Sequence, residues 1–287
     1  MKLKALGIII ASSIALSGCI INVNGKTSGP THKEHKSLEL NASDLSAFKA
    51  AVGAGELSIK GVRGQTDVRV EADINTYDDV SYTLTLEKSG NKAELVAEFD
   101  NNFSFNRSPY IDLVVTVPQQ MMLDIHDGSG PIDIRGVDAD ININDGSGSI
   151  DLVGGQAVSI QDGSGSISIS NAKQDIDIAD GSGGIEIDGG QNIDINDGSG
   201  SISVSNTNGK LDIDDGSGSI DLDHIGGHTK INDGSGSITA HHINGKVTID
   251  DGSGSIDVEY TKGLNIIDSG SGGLRFKHID GPVSVDE

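Results

Sequence analysis

The word INDGSGSI, residues 231–238, also stands at 143–150 and 195–202. The Asp of its DGSG core falls at 127, 145, 162, 180, 197, 215, 233 and 251, in steps of 17 or 18 residues. One more step of 18 reaches Ser269 in DSGSGG, which reads as a ninth copy that has lost its Asp. Spacing this regular marks a solenoid in which each copy is one rung.

The phase of the apolar residues gives the rung its shape. Counted from the Asp slot, positions −4, −2, +5 and +7 are Leu211, Ile213, Ile220 and Leu222 in the sixth copy. Over nine copies 34 of these 36 slots are apolar, Thr229 and Asn265 being the exceptions. Positions −3 and +6 are mainly Asp, Asn, Ser and Thr, so the alternation has period two and each rung holds two short strands. Gly-Ser-Gly makes the tight turn between them, since glycine reaches backbone angles that other residues resist. A looser corner near +10 carries small or aliphatic residues, often followed by glycine.

Four buried aliphatic side chains contribute ~1.5–3 kcal/mol each. That cannot offset the ordering entropy of a whole rung, so stability must come from stacking. The predicted fold is all-β: a single parallel β-solenoid with rungs of ~18 residues at a rise of ~4.8 Å.

The stretch FKAAVGAGELSIKGV (48–62) fits the same frame when Val52 takes the Asp slot, with Phe48, Ala50, Leu57 and Ile59 inward. Residues 66–118 hold longer alternating strands separated by turn-rich links, predicting a β-meander that covers the start of the solenoid. The chain then divides into a signal segment (1–18), Cys19 with a flexible tether (19–37), an N-terminal opening rung and meander cap (38–122), and the regular solenoid (123–287).

The signal assignment rests on Lys2 and Lys4, a short apolar run Leu6–Leu16, and small residues after it. The run is short for a membrane-spanning helix. Its ending LSGC resembles a bacterial lipobox, which implies cleavage before Cys19, lipidation of the Cys19 thiol and a membrane anchor. By analogy with Gram-negative lipoproteins, Ile20 after the cysteine favours the outer membrane. Cys19 is the only cysteine, so no disulfide and no cysteine metal cluster can form.

The order of GAGELSIKGV, YIDLVVTVP and the repeated GSGSIDL words resembles the bacterial β-strand-repeat "putative adhesin" family, a domain of unknown function. The resemblance spans about 38–287 and implies a parallel β-helix at the cell surface with an adhesin-like or scaffold role. It supplies no catalytic motif.

From Leu123 onward there are 29 acidic against 8 basic residues, so nearly all of the −23 charge of the chain lies on the repeats. An acidic rod argues against nucleic acid, whose phosphates need a basic surface. Its partner is an envelope or extracellular component of unspecified identity, and its oligomeric state is open. Solubility alone accounts for such a charge.

Calcium is the sharpest chemical alternative. Asp127, Asp145, Asp162, Asp180, Asp197, Asp215, Asp233 and Asp251 stack in register and form a candidate cation ladder. Repeat-in-toxin β-rolls use two G-G-x-G-x-D-x-U-x words per turn. Here there is one GSG per turn, with Ile where that motif needs Asp. The preferred reading is that each Asp accepts hydrogen bonds from its own turn. His224, His242 and His278 share slot +9, and with His228 and His241 they offer imidazoles for Zn²⁺ or Cu²⁺, the alternative metal set being His224, His228, His241 and His242. No motif calls for a cofactor. The remaining alternative is a polysaccharide-active enzyme, but the rungs are minimal, and any Asp taken as catalytic has seven equivalents, which argues against one.

Overall fold

The computed structural model describes residues 29–100 and 107–286. Cys19, the signal segment and the first part of the tether lie outside the described residues. Among those described there is no helix; the molecule is a parallel solenoid of strands.

Seven N-terminal strands come first: β1 (His32–Asn41), β2 (Ala47–Ala54), β3 (Leu57–Val62), β4 (Asp67–Thr76), β5 (Tyr82–Ser89), β6 (Lys92–Phe99) and β7 (Tyr110–Pro118). The first DGSG rung supplies β8 (Met122–Ser129) and β9 (Ile132–Arg135). From there each rung adds one strand to each of two sheets. In the first sheet Leu123, Ile141, Val158, Ile176 and Ile193 align rung by rung. In the second, Ile132, Ile150, Ile167, Ile185 and Ile202 do so.

The one-residue difference between rungs of 17 and 18 falls wholly in the loose corner. Only 154–157 separate Leu152-Val153 from Val158, whereas 171–175 separate Ser170 from Ile176. Slot +10 is inward at this corner. It holds Val137, Ala172, Ile225 and Ile243, all buried, and pairs Thr207, Ile225, Ile243, Thr261 and Ile279 along a third, short side.

The opening rung stands where its letters place it. Phe48, Ala50 and Val52 pair with Leu123, Ile125 and Asp127, while Leu57 and Ile59 pair with Ile132 and Ile134. The cap over it is divided between the sheets. Strands β6 and β7 run parallel to β2 and β3 and so act as a further rung. Beyond them β5 lies antiparallel on β6, and β4 on β7, with β1 antiparallel on β4. Lys36 of β1 donates to the Tyr82 hydroxyl of β5 at 2.7 Å, and that hydroxyl donates to Glu34 at 2.5 Å, joining the outermost strands of the two sheets. Residues 32–37, expected in the tether, are therefore strand: their alternation matches β4 over its full length.

Two details of the repeat differ from the expectation. Thr229 keeps the inward phase, at 1 % exposure. The ninth rung does not follow the extrapolated step of 18. Leu264 and Ile266 pair with Val247 and Ile249, whereas Asn265 is only half-buried and Ile267 is exposed. Asp268 has not been lost: its Oδ1 accepts the Gly270 N–H at 2.8 Å. The step is one residue shorter and the turn one longer, with Gly270 (φ 51°) absorbing the excess. Phe276 resumes register with Val258, yet it is 40 % exposed, and among the described residues no further strand pairs with its own.

The phase carries a testable consequence. Ile178 is buried and its neighbour Asp177 points to solvent. Ile178→Ala should cost about 2–3 kcal/mol in a denaturant melt, and Asp177→Ser no more than about 0.5 kcal/mol. Equal costs would mean that the faces are assigned backwards.

Candidate functional site

The DGSG turn is the most repeated chemical feature of the molecule. In every one of the eight copies Oδ1 of the Asp accepts the N–H of the Ser two residues on, at 3.0–3.2 Å. The preferred turn role of the Asp is thus present in its geometry. The direction of the side chain is the surprise. Each Asp continues the inward parity of −4 and −2, and none is more than 7 % exposed. The second oxygen, Oδ2, is buried with no hydrogen-bond partner in all eight.

Burial penalises the charged form, so every one of these carboxyls is pushed above its ordinary range. Asp127 rises to about 7, through burial and then the charge of Asp145 on the next rung. Asp145, Asp180 and Asp233 rise to about 6 for the same leading reason. Asp162, Asp197, Asp215 and Asp251 move in the same direction, again chiefly by burial. A calcium ion takes six to eight oxygens. The ladder offers one unengaged oxygen per rung, against an aliphatic interior.

The outward columns form a different surface. A shallow groove of about 540 Å³ crosses several rungs on the outside of the first sheet. Asp140, Asn142, Asp175, Asp177, Asp194 and Asp212 line it, together with Lys210 and, at one end, Met122. Asp175 braces its wall by accepting both the backbone and side-chain N–H groups of Asn192 at 3.1 and 2.9 Å.

The loose corner gathers part of the expected histidine set. Slot +9 adopts a left-handed backbone at Asn171, Asn206, His224, His242, Tyr260 and His278. This turn sends consecutive +9 side chains into one pile. His224 stacks on His242 at 4.6 Å between centroids, His242 on Tyr260 at 5.1 Å, and Tyr260 on His278 at 4.5 Å. His228 does not join them, since its Nδ1 accepts the Lys246 N–H at 2.9 Å. His241 meets His242 edge-on at 6.4 Å. The residue that sequence reasoning missed is Asp223, whose carboxylate bridges Nδ1 of His224 (2.7 Å) and Nδ1 of His242 (2.8 Å). Only part of the signal lay in the sequence: slot +8 precedes His224 in the chain, and its register partner one rung on, His241, precedes His242.

Fold and surface together define a capped parallel β-solenoid whose exterior is built from repeated side-chain columns. The family model described as Toastrack DUF4097 matches residues 63–287, and the chain belongs to that family. Among solved structures the chain is similar to a "putative cell adhesion protein" from Clostridium sporogenes, at 11% identity and TM-score 0.33, covering 88% of this chain and 100% of that one. It is similar also to a "putative adhesin" from Parabacteroides merdae, at 13% identity and TM-score 0.36, with 88% and 96% covered. A "putative lipid binding protein" from Parabacteroides distasonis matches at 16% identity and TM-score 0.46, with 85% and 96% covered. No curated protein matches the chain.

Proposed function

We propose that the protein is a non-enzymatic lipoprotein of the bacterial envelope that presents the acidic columns of its rod to a partner, in an adhesin-like or scaffold role. The observation that carries this reading is the groove on the first sheet, because its lining repeats over successive rungs. A surface of that kind offers the same weak contact many times at rung spacing, and repetition turns weak contacts into avidity. The lining residues Asp140, Asp175, Asp177, Asp194 and Asp212 favour a partner bearing positive charge. The terminal LSGC motif supports anchoring through Cys19.

Beads coated with the protein should adhere to envelope or host-surface preparations, with retention falling severalfold when Asp175, Asp177, Asp194 and Asp212 are all changed to Asn. Retention that is equal in the variant, or no greater than on uncoated beads, would count against the reading. Cys19→Ser should move the protein from the detergent phase to the aqueous phase. The calcium alternative has its own check, a calorimetric titration paired with a melt in EDTA. Absence of heat and an unchanged Tm would remove it.

A further inference from the structure

We propose that Asp223, His224 and His242 form a binding site for a first-row transition metal ion of the Zn²⁺, Ni²⁺ or Cu²⁺ type. Three observations converge on the loose corner of these rungs. One is the backbone. Slot +9 is left-handed throughout, and the earlier rungs fill it with Gly136, Gly154, Asn171, Gly189 and Asn206, the residues that tolerate that conformation. At the sixth and seventh DGSG rungs it holds His224 (φ 57°) and His242 (φ 54°), so both imidazoles leave the corner from the same left-handed backbone, which histidine shares with asparagine.

The second observation is convergence. One ligand atom from each of Asp223, His224 and His242 lies within 4.8 Å of the other two. Both imidazoles turn the same nitrogen, Nδ1, toward the one carboxylate. That leaves each Nε2 to carry the ring proton when Nδ1 binds an ion. The third is support. Tyr260 lies flat against His242 with an interplanar angle of 5°, and His241, whose Nε2 is buried without a hydrogen-bond partner, is the register partner of Asp223.

The donor set selects the ion. Two imidazole nitrogens and one carboxylate oxygen suit borderline metals, whereas calcium and magnesium prefer all-oxygen shells. Three protein ligands on an exposed corner leave the remaining positions to water or to a donor from a partner. The site is separate from the Asp ladder, which faces the interior, and it does not depend on the adhesive role.

The test is a calorimetric titration of the full-length protein with Zn²⁺, joined to EPR of the Cu²⁺ form. The expected results are one saturable site and a spectrum showing two nitrogen ligands. His242→Asn and Asp223→Asn should each weaken Zn²⁺ at least about tenfold, the scale on which lost support for a metal is read. Asparagine suits the left-handed corner, as at Asn171 and Asn206, so His242→Asn should retain the wild-type circular dichroism melt. His228→Asn should bind as the wild type does. No saturable binding, a single-nitrogen spectrum, or affinity unchanged in both His242→Asn and Asp223→Asn would overturn the proposal. So would an equal loss in His228→Asn.

Discussion

Gly218→Ala should destabilise the middle of the rod by at least ~4 kcal/mol, a loss reserved for substitutions that break the backbone arrangement itself. Gly218 is the second glycine of the sixth DGSG word, and its φ of 154° is one that residues with a Cβ rarely adopt. Space forbids the change as well. A Cβ there would point into the carbonyl oxygen of Gly200, the equivalent glycine one rung below. The obstacle is backbone, so no side chain can swing aside. Either the turn opens or the two rungs separate, and separation breaks the bond that joins them, from the Gly200 N–H to the Ser217 carbonyl (2.9 Å). Ser217 lies between the two glycines and contributes its backbone N–H to Asp215. Ser217→Ala should therefore stay within about 0.5 kcal/mol of the wild type. Denaturant melts of the two variants side by side give the answer, and a Gly218→Ala loss below about 1 kcal/mol would show that the rungs are less closely stacked than described.

Lowering the pH from 8 to 5 should raise the Tm, against the usual behaviour of a protein rich in carboxylates. The sign follows from linkage. A carboxyl whose pKa is higher folded than unfolded binds more protons in the native state, so its penalty is absent below the unfolded value, near 3.9. The penalty grows as pH rises toward the folded value and is complete above it. For Asp145, Asp180 and Asp233 that window runs from about 4 to about 6, and for Asp127 to about 7. Each tenfold difference in proton affinity between the folded and unfolded chain corresponds to ~1.4 kcal/mol. Discounted for screening to roughly 1 kcal/mol per carboxyl, these four give several kcal/mol and a Tm change on the order of 10 °C, and Asp162, Asp197, Asp215 and Asp251 act in the same direction. The lowered carboxyls Glu34, Asp44, Asp138 and Asp223 act oppositely, but only as pH falls below their ordinary range. The optimum should thus lie between about pH 4 and 5.5. Changing Asp180, Asp197 and Asp215 together to Asn should raise the Tm at pH 8 and leave it near the wild-type value at pH 5. An amide keeps an oxygen for the Ser N–H and cannot ionise. A wild-type Tm that falls steadily on acidification from pH 8 would contradict a buried ladder.

Much of this architecture was legible because the repeat writes its phase in Ile, Leu and Val. Phe48 to Ile59 could be placed against Leu123 to Ile134 without any DGSG word, since four inward slots suffice to set a register. The ninth rung went astray where a fixed period was preferred to the local alternation. Leu264 and Ile266 sit two apart, as inward residues do, but a step of 18 pointed to Asn265 and Ile267. The burial of the Asp was readable too, as slots −4, −2 and 0 share one parity. A polar residue beside a turn is ordinarily assigned to solvent, and that habit hid it. The pairing of β6 and β7 with β2 and β3 had no such signal. It joins segments far apart in sequence, where strands of similar alternation are interchangeable until packing decides among them. Asp223 was hidden for another reason: its partners meet only once the left-handed corner turns both histidines toward it.

The loose corner has a consequence for how such a chain changes length over evolutionary time. Because rungs of 17 and 18 residues present the same strands in the same register, a join between any two copies of the word INDGSGSI restores an intact turn. An exchange joining one such word to another would add or delete whole rungs. The cap at one terminus and the final rung at the other are left untouched. Length then varies in increments of ~4.8 Å while the sequence at each end, and whatever is attached there, stays the same.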